Sequence, residues 1–103
     1  MPIHDPIVRL FSRVGVDSAP ASPGVYVLYD GPEVIFIGKS DVSIRSRLQD
    51  HLNGAEGPCT KGATHYKREV TEADEARAYE EELLVEYAQE HDYELPRCHQ
   101  VIS

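Results

Sequence analysis

Glu80 occupies a place in the sequence that demands a chemical explanation. From 71 to 90 the chain is filled with Ala, Glu and Leu, all good helix formers. At about 100° per residue, Ala73, Ala76, Leu83, Leu84 and Tyr87 form an apolar stripe. Glu80 falls near the centre of that stripe, whereas Glu75, Glu81, Glu82 and Glu86 project away from it. A carboxylate on the buried side costs several kcal/mol unless it is paired, hydrogen-bonded or bound to a cation. Three arrangements meet that need. One is an ion pair with Arg45 or Arg47, one a glutamate that snorkels at the stripe edge, and one a metal ligand or catalytic carboxylate. A second hint lies upstream, where Arg47 and His51 are four residues apart and share a helical face beside Ile44 and Leu48. A basic pair of this kind suits a phosphate, and a solvated surface presents the same pattern.

The elements that must position these residues can be read from periodicity and punctuation. Ile7, Leu10, Phe11 and Val14 predict a short helix over 5–14, with Asp5 as N-cap, Pro6 at the first helical position and Gly15 as its end. The proline-rich run 18–23 reads as a connector. Segments 24–30 and 33–38 are rich in β-branched and aromatic residues and flank the turn Asp30-Gly31-Pro32, which predicts a hairpin. A helix follows from about Asp41 to Leu52, with Ser40 or Asp41 as cap, then a glycine-rich loop over 53–62 and a third strand over 64–70. Thr71 and Asp74 approximate a capping box for the long helix over 71–90.

The 103 residues, 41% hydrophobic and 27% charged, have room for a single core and exclude a disordered or rod-like chain. A net charge of -8 excludes nucleic-acid binding by bulk charge. Eleven of the 18 acids lie between Glu69 and Glu94, however, and the stretch from Lys39 to Arg68 is mildly basic. A local phosphate-facing site built on Lys39, Arg45, Arg47, Lys61, Lys67 and Arg68 is therefore compatible with the total. The acidic helix would then face away from a polyanion, or the acidity reflects a salt-adapted source. No run of about 18 apolar residues occurs and the first residues lack signal-peptide blocks, so a cytoplasmic, non-membrane protein is expected. Cys59 and Cys98 have no Cys-x-x-Cys spacing and are expected as two free thiols; with His65, His91 and His99 they match no standard zinc spacing.

The order of these pieces resembles the GIY-YIG nucleases. The resemblance rests on Pro23-Gly24-Val25-Tyr26, a short turn, Phe36-Ile37-Gly38-Lys39-Ser40, Arg47-Leu48 with His51 four later, and Ala76 with Glu80 four later, followed by Leu83-Leu84. It spans roughly 23–97, which would be the nuclease-like domain, with 1–22 as an N-terminal helix and connector and 98–103 as a tail. It implies an α/β fold with a small, mainly antiparallel three-stranded sheet flanked by helices. It also implies hydrolysis of a DNA phosphodiester dependent on Mg²⁺ or Mn²⁺. Carried over by position, Tyr26 is a candidate general base, Lys39 ends the second motif and is a catalytic candidate that could supply the positive charge Tyr26 needs, and Arg47 stabilises the reacting phosphate; Lys39 and Arg45 of the basic stretch join Arg47 in binding phosphate. His51 takes the base role or binds substrate, and Glu80 holds the metal. Phe36 stands where the family has a tyrosine, one extra residue separates Gly38 from Arg47, and His99 replaces the asparagine of a Pro-x-x-Asn ending. These departures favour an alternative: a weak or silent domain of the same fold that binds nucleic acid or protein. With so little surface for reading sequence, specificity is expected from DNA structure, a protein partner or a homodimer.

Overall fold

A computed structural model of the chain describes residues 7–99. The elements run β1 (Arg9–Leu10), α1 (Arg13–Asp17), β2 (Gly24–Asp30), β3 (Glu33–Ser40), α2 (Ile44–Leu52), α3 (Pro58–Lys61), β4 (His65–Val70) and α4 (Ala73–Glu90), closed by a 3₁₀ turn at Arg97–His99. The sheet order is β1-β4-β2-β3 and every pairing is antiparallel. The expected three strands are thus four. The extra one, β1, pairs Arg9 with Tyr66 and Leu10 with His65. Two residues are too few to show a period of two, and Ile7, Leu10, Phe11 and Val14 happen to fit a helix. Ile7, Leu10 and Val14 are instead exposed, and Phe11 alone of the four is buried. The helix begins later, where the Ser12 hydroxyl accepts the Gly15 N–H, so Gly15 lies within α1 and does not end it. Asp5 and Pro6, expected at the helix start, lie outside the described residues.

The hairpin forms as expected, with Tyr26 opposite Gly38 and Val27 opposite Ile37. Its tight turn needs a positive φ at Gly31, 58°, which a glycine adopts without steric cost. Alternation along β2 then sorts the core. Val25 and Val27, with Ile37 of β3, pack under Leu83 and Tyr87 of α4. Tyr26 and Leu28 point to the opposite face, against Ile44 and Leu48 of α2, Val16 of α1 and Tyr66 of β4. The sheet is therefore covered on both faces, by α4 on one and by α1 and α2 on the other.

Helix starts differ from expectation because serines intervene. The Ser40 hydroxyl accepts the N–H groups of Val42 and Ser43, which makes a turn where a helix was expected. Ser43 then caps α2 by accepting the Ser46 N–H. On α4 no capping box forms: Thr71 is held outside the helix by its N–H donating to the Pro23 carbonyl, and Ala73 is exposed instead of joining the stripe. The loop over 53–62 contains α3.

The C-terminal turn closes the open edge of the sheet. β3 is an edge strand, and its Ile37 N–H donates to His99 Nε2 at 3.0 Å. Arg97 fixes the same turn by donating to Asp30 and Glu33 of the hairpin. Cys98 forms a disulfide with Cys59 of α3, which corrects the expectation of two free thiols. Sequence spacing carries no information on this pair, because the fold brings positions 39 apart to a Cα separation of 5.6 Å. Among the described residues no helix is long and apolar enough to cross a membrane.

Candidate active site

The site begins with a glycine. Gly38 faces Tyr26 across the ladder, and a Cβ there would come within 2.5 Å of the Tyr26 ring and hydroxyl. Only glycine lets the tyrosine lie flat over β3, fully buried between the sheet and α2. There its hydroxyl meets His51 Nε2 at 2.8 Å, and His51 Nδ1 meets the Thr60 hydroxyl at 2.9 Å. Phe36 completes the aromatic wall, stacked on His99 at 4.3 Å and beside Tyr26 at 6.3 Å.

A cleft of about 430 Å³ opens beside this wall, lined in part by Phe36, Gly38, Lys39, Val42, Arg47 and Glu80. Glu80 and Tyr26 belong to opposite faces of the sheet, so they converge around its β3 edge and not across a shared interior. Glu80 is half-buried while Glu81 and Glu82 are exposed, as the 100° spacing predicts. Its carboxylate makes no hydrogen bond or ion pair among the described residues. The expected partners are engaged elsewhere: Arg45 Nε donates to the Ala19 carbonyl at 2.7 Å, and Arg47 pairs with Glu56 at 3.3 Å. Lys39 is paired with Asp41 at 3.0 Å. Of the residues singled out in the sequence, Lys39, Arg47 and Glu80 line the cleft, Tyr26 and His51 stand behind it, and Arg45 is tied to the chain before β2.

Burial dominates the electrostatics. It pushes the Glu80 carboxyl above the usual range, with Lys39 and Arg47 pulling the other way. It raises the Tyr26 phenol well above its ordinary value, and the nearby Arg47 guanidinium offsets only part of this by charge and hydrogen bond. It lowers His51 to about 4, helped by Arg47 and opposed by Glu56. Near neutral pH the site thus holds a neutral phenol against a neutral imidazole, beside a guanidinium and a carboxylate with no partner.

Sequence reasoning missed Glu56, Thr60 and Asp41 as members of this cluster. Glu56 and Thr60 come from the glycine-rich segment, where no periodicity marks a direction, and Asp41 reads in the sequence as one of two available helix caps. A local signal existed only for Asp41, two residues after Lys39.

An α/β domain with an antiparallel sheet, helices on both faces and a polar cleft at the edge strand is the class defined by fold and site. No family model matches the chain, and no curated protein sequence matches it. Among solved structures it is similar to the GIY-YIG N-terminal endonuclease domain of UvrC from Thermotoga maritima bound to its catalytic divalent cation, magnesium. The identity is 26% and the TM-score 0.66, over 84% of this chain and 92% of that one. Two point mutants of that domain, each with a tyrosine replaced by phenylalanine and each bound to its catalytic divalent cation, match at 26% identity. Their TM-scores are 0.64, over 84% of this chain and 91% and 92% of theirs. The chain has the GIY-YIG nuclease-like fold.

Proposed function

We propose that the protein is a divalent-metal-dependent endonuclease that hydrolyses DNA phosphodiesters, using Mg²⁺ or Mn²⁺. The observation that carries this reading is Glu80, a half-buried carboxylate without a partner in a cleft that also presents Lys39 and Arg47. A lone anion in that position suits a hard cation, which prefers oxygen ligands and keeps several waters. Among the described residues no group of three or more His, Cys, Asp or Glu side chains converges as a metal site; of the two carboxylates that line the cleft, Asp41 is paired with Lys39, which leaves Glu80 as the ligand of this reading. The Thermotoga domain supports the assignment, since its tyrosine-to-phenylalanine mutants are bound to their cation. In that domain, loss of a tyrosine hydroxyl leaves the cation bound.

In-line attack on a phosphodiester gathers negative charge on the non-bridging and leaving oxygens, and a bound divalent cation supplies charge to stabilise it. Arg47 braces the phosphate with its planar fork, which keeps its proton at any working pH. Substrate phosphate must draw Arg47 away from Glu56 and from Tyr26, and that movement opens the buried tyrosine to water. Tyr26 then accepts a proton from the attacking water while passing its own hydrogen to His51 Nε2, so that no free phenolate has to form in a buried site. The negative phosphate also offsets the Arg47 field that helps to hold His51 low, which makes the imidazole a better acceptor with substrate bound. Lys39 adds positive charge at the cleft mouth.

A second reading is a domain of this fold that binds nucleic acid or protein without cutting, and the complete burial of Tyr26 together with Phe36 favours it. Calorimetric titration with Mg²⁺ and Mn²⁺, followed by incubation with nicked, flapped, branched and linear DNA with metal and with EDTA, separates the two. The endonuclease reading expects cation binding and EDTA-sensitive cleavage. Binding of DNA without cleavage of any substrate would leave the second.

A further inference from the structure

Thr60 is the third member of a buried chain that starts at the Tyr26 hydroxyl. Arg47 is near that hydroxyl but has donors only, so it can take no hydrogen from the tyrosine. That hydrogen needs an acceptor in a place where Tyr26 has no solvent exposure. His51 Nε2, 2.8 Å away, is such an acceptor if it is unprotonated. A neutral imidazole carries one N–H, so with Nε2 bare the hydrogen is on Nδ1. Nδ1 lies 2.9 Å from Thr60 Oγ1, and His51 and Thr60 are 0% and 3% exposed, which leaves little room for water to compete. Thr60 is itself held in place, because α3 is crosslinked at the neighbouring Cys59 to the C-terminal turn.

We propose that Thr60 is a positioning residue: by accepting the His51 Nδ1–H it selects that tautomer and turns the ring so that Nε2 presents its lone pair to Tyr26. In the other tautomer Nε2–H would donate to the tyrosine oxygen, and Tyr26 could pass no hydrogen to His51. The inference rests on Tyr26 as the proton acceptor of the proposed nuclease, but the tautomer itself can be read without turnover.

The test is nitrogen-15 NMR of the His51 ring in the full chain near neutral pH, assigned with a His51→Gln control, for the wild type, Thr60→Val and Thr60→Ser. The wild type should show a protonated Nδ1 and a bare Nε2. Thr60→Val, close in shape and lacking the hydroxyl, should shift population toward Nε2–H and lower kcat roughly 10- to 100-fold with KM for DNA little changed. Thr60→Ser should restore both the tautomer and kcat. A wild-type ring protonated on Nε2 overturns the proposal, and so does a Thr60→Val protein that loses activity with its tautomer unchanged. If Thr60→Val fails to fold, the wild-type and Thr60→Ser spectra still decide. Full activity in Tyr26→Phe would instead overturn the role of Tyr26 and leave the tautomer assignment standing.

Discussion

His51 and Glu56 show how single residues set the state of the site. His51 is buried and neutral, with its pKa pushed down to about 4 by burial, whereas an unfolded histidine titrates near 6.5. As pH falls below about 6.5 the unfolded chain takes up a proton that the folded one refuses, so stability drops through that window. His99 is shifted in the same direction by burial and adds to the loss. Chemical denaturation at pH 7, 6 and 5, above the range where most carboxylates titrate, should show falling stability, with a smaller fall in His51→Gln. A flat profile would mean that His51 is not held neutral. Glu56 is exposed and holds Arg47 in a solvent-facing pair, an interaction worth little. Because a phosphate competes for the same guanidinium, Glu56→Gln should tighten DNA binding by roughly threefold. Weaker binding would show that Glu56 helps to build the phosphate site.

At the scale of elements, what the sequence revealed was what repeats locally. The hairpin and α4 were legible because alternation and the 100° period extend over seven or more residues, and the half-buried placement of Glu80 followed from the same arithmetic. β1 was not legible, since two residues show no period and its pairing partner lies some 55 positions on. Nor were Thr60, Glu56 and the Cys59–Cys98 bond, each a contact between segments whose approach depends on the finished sheet. His99 stands in the sequence where the resemblance expects an asparagine. Its ring nitrogen nonetheless accepts the Ile37 N–H, a service that an amide oxygen at that position could also perform. The disulfide closes a long loop over α3, β4 and α4, and removing it should cost about 2–4 kcal/mol. Denaturation of a Cys59→Ser, Cys98→Ser double variant checks this, together with a thiol titration of the unreduced protein that should find no free thiol. Equal stability with two titratable thiols in the wild type would mean that the crosslink does not form.

For the whole molecule, the distribution of charge matters more than the total of -8. Acids crowd the outer side of α4, where Asp74, Glu75, Glu81 and Glu82 are exposed. The basic stretch from Lys39 to Arg68 does not form one face. Lys39 and Arg47 line the cleft, while Lys67 and Arg68 sit on β4, separated from β3 by β2. Few phosphates can therefore be neutralised at once. A plot of log binding constant against log salt should have a slope of about -2 to -3, since each neutralised phosphate contributes a little under one unit. A slope of -6 or steeper would require a second copy of the chain or a basic surface elsewhere.

The central claim is that Glu80, and neither of its neighbours, holds the cation that activates the phosphate. Glu80, Glu81 and Glu82 are chemically identical and adjacent, and only the first turns toward the cleft. The most direct measurement is metal-dependent DNA cleavage by Glu80→Gln, Glu81→Gln and Glu82→Gln, each first shown to be folded. Since burial holds the Glu80 carboxyl above its usual range, the Glu80→Gln fold should be no less stable than wild type at neutral pH without metal. Its cleavage should be abolished, while Glu81→Gln and Glu82→Gln cut at near the wild-type rate. Equal cleavage by all three would contradict the account.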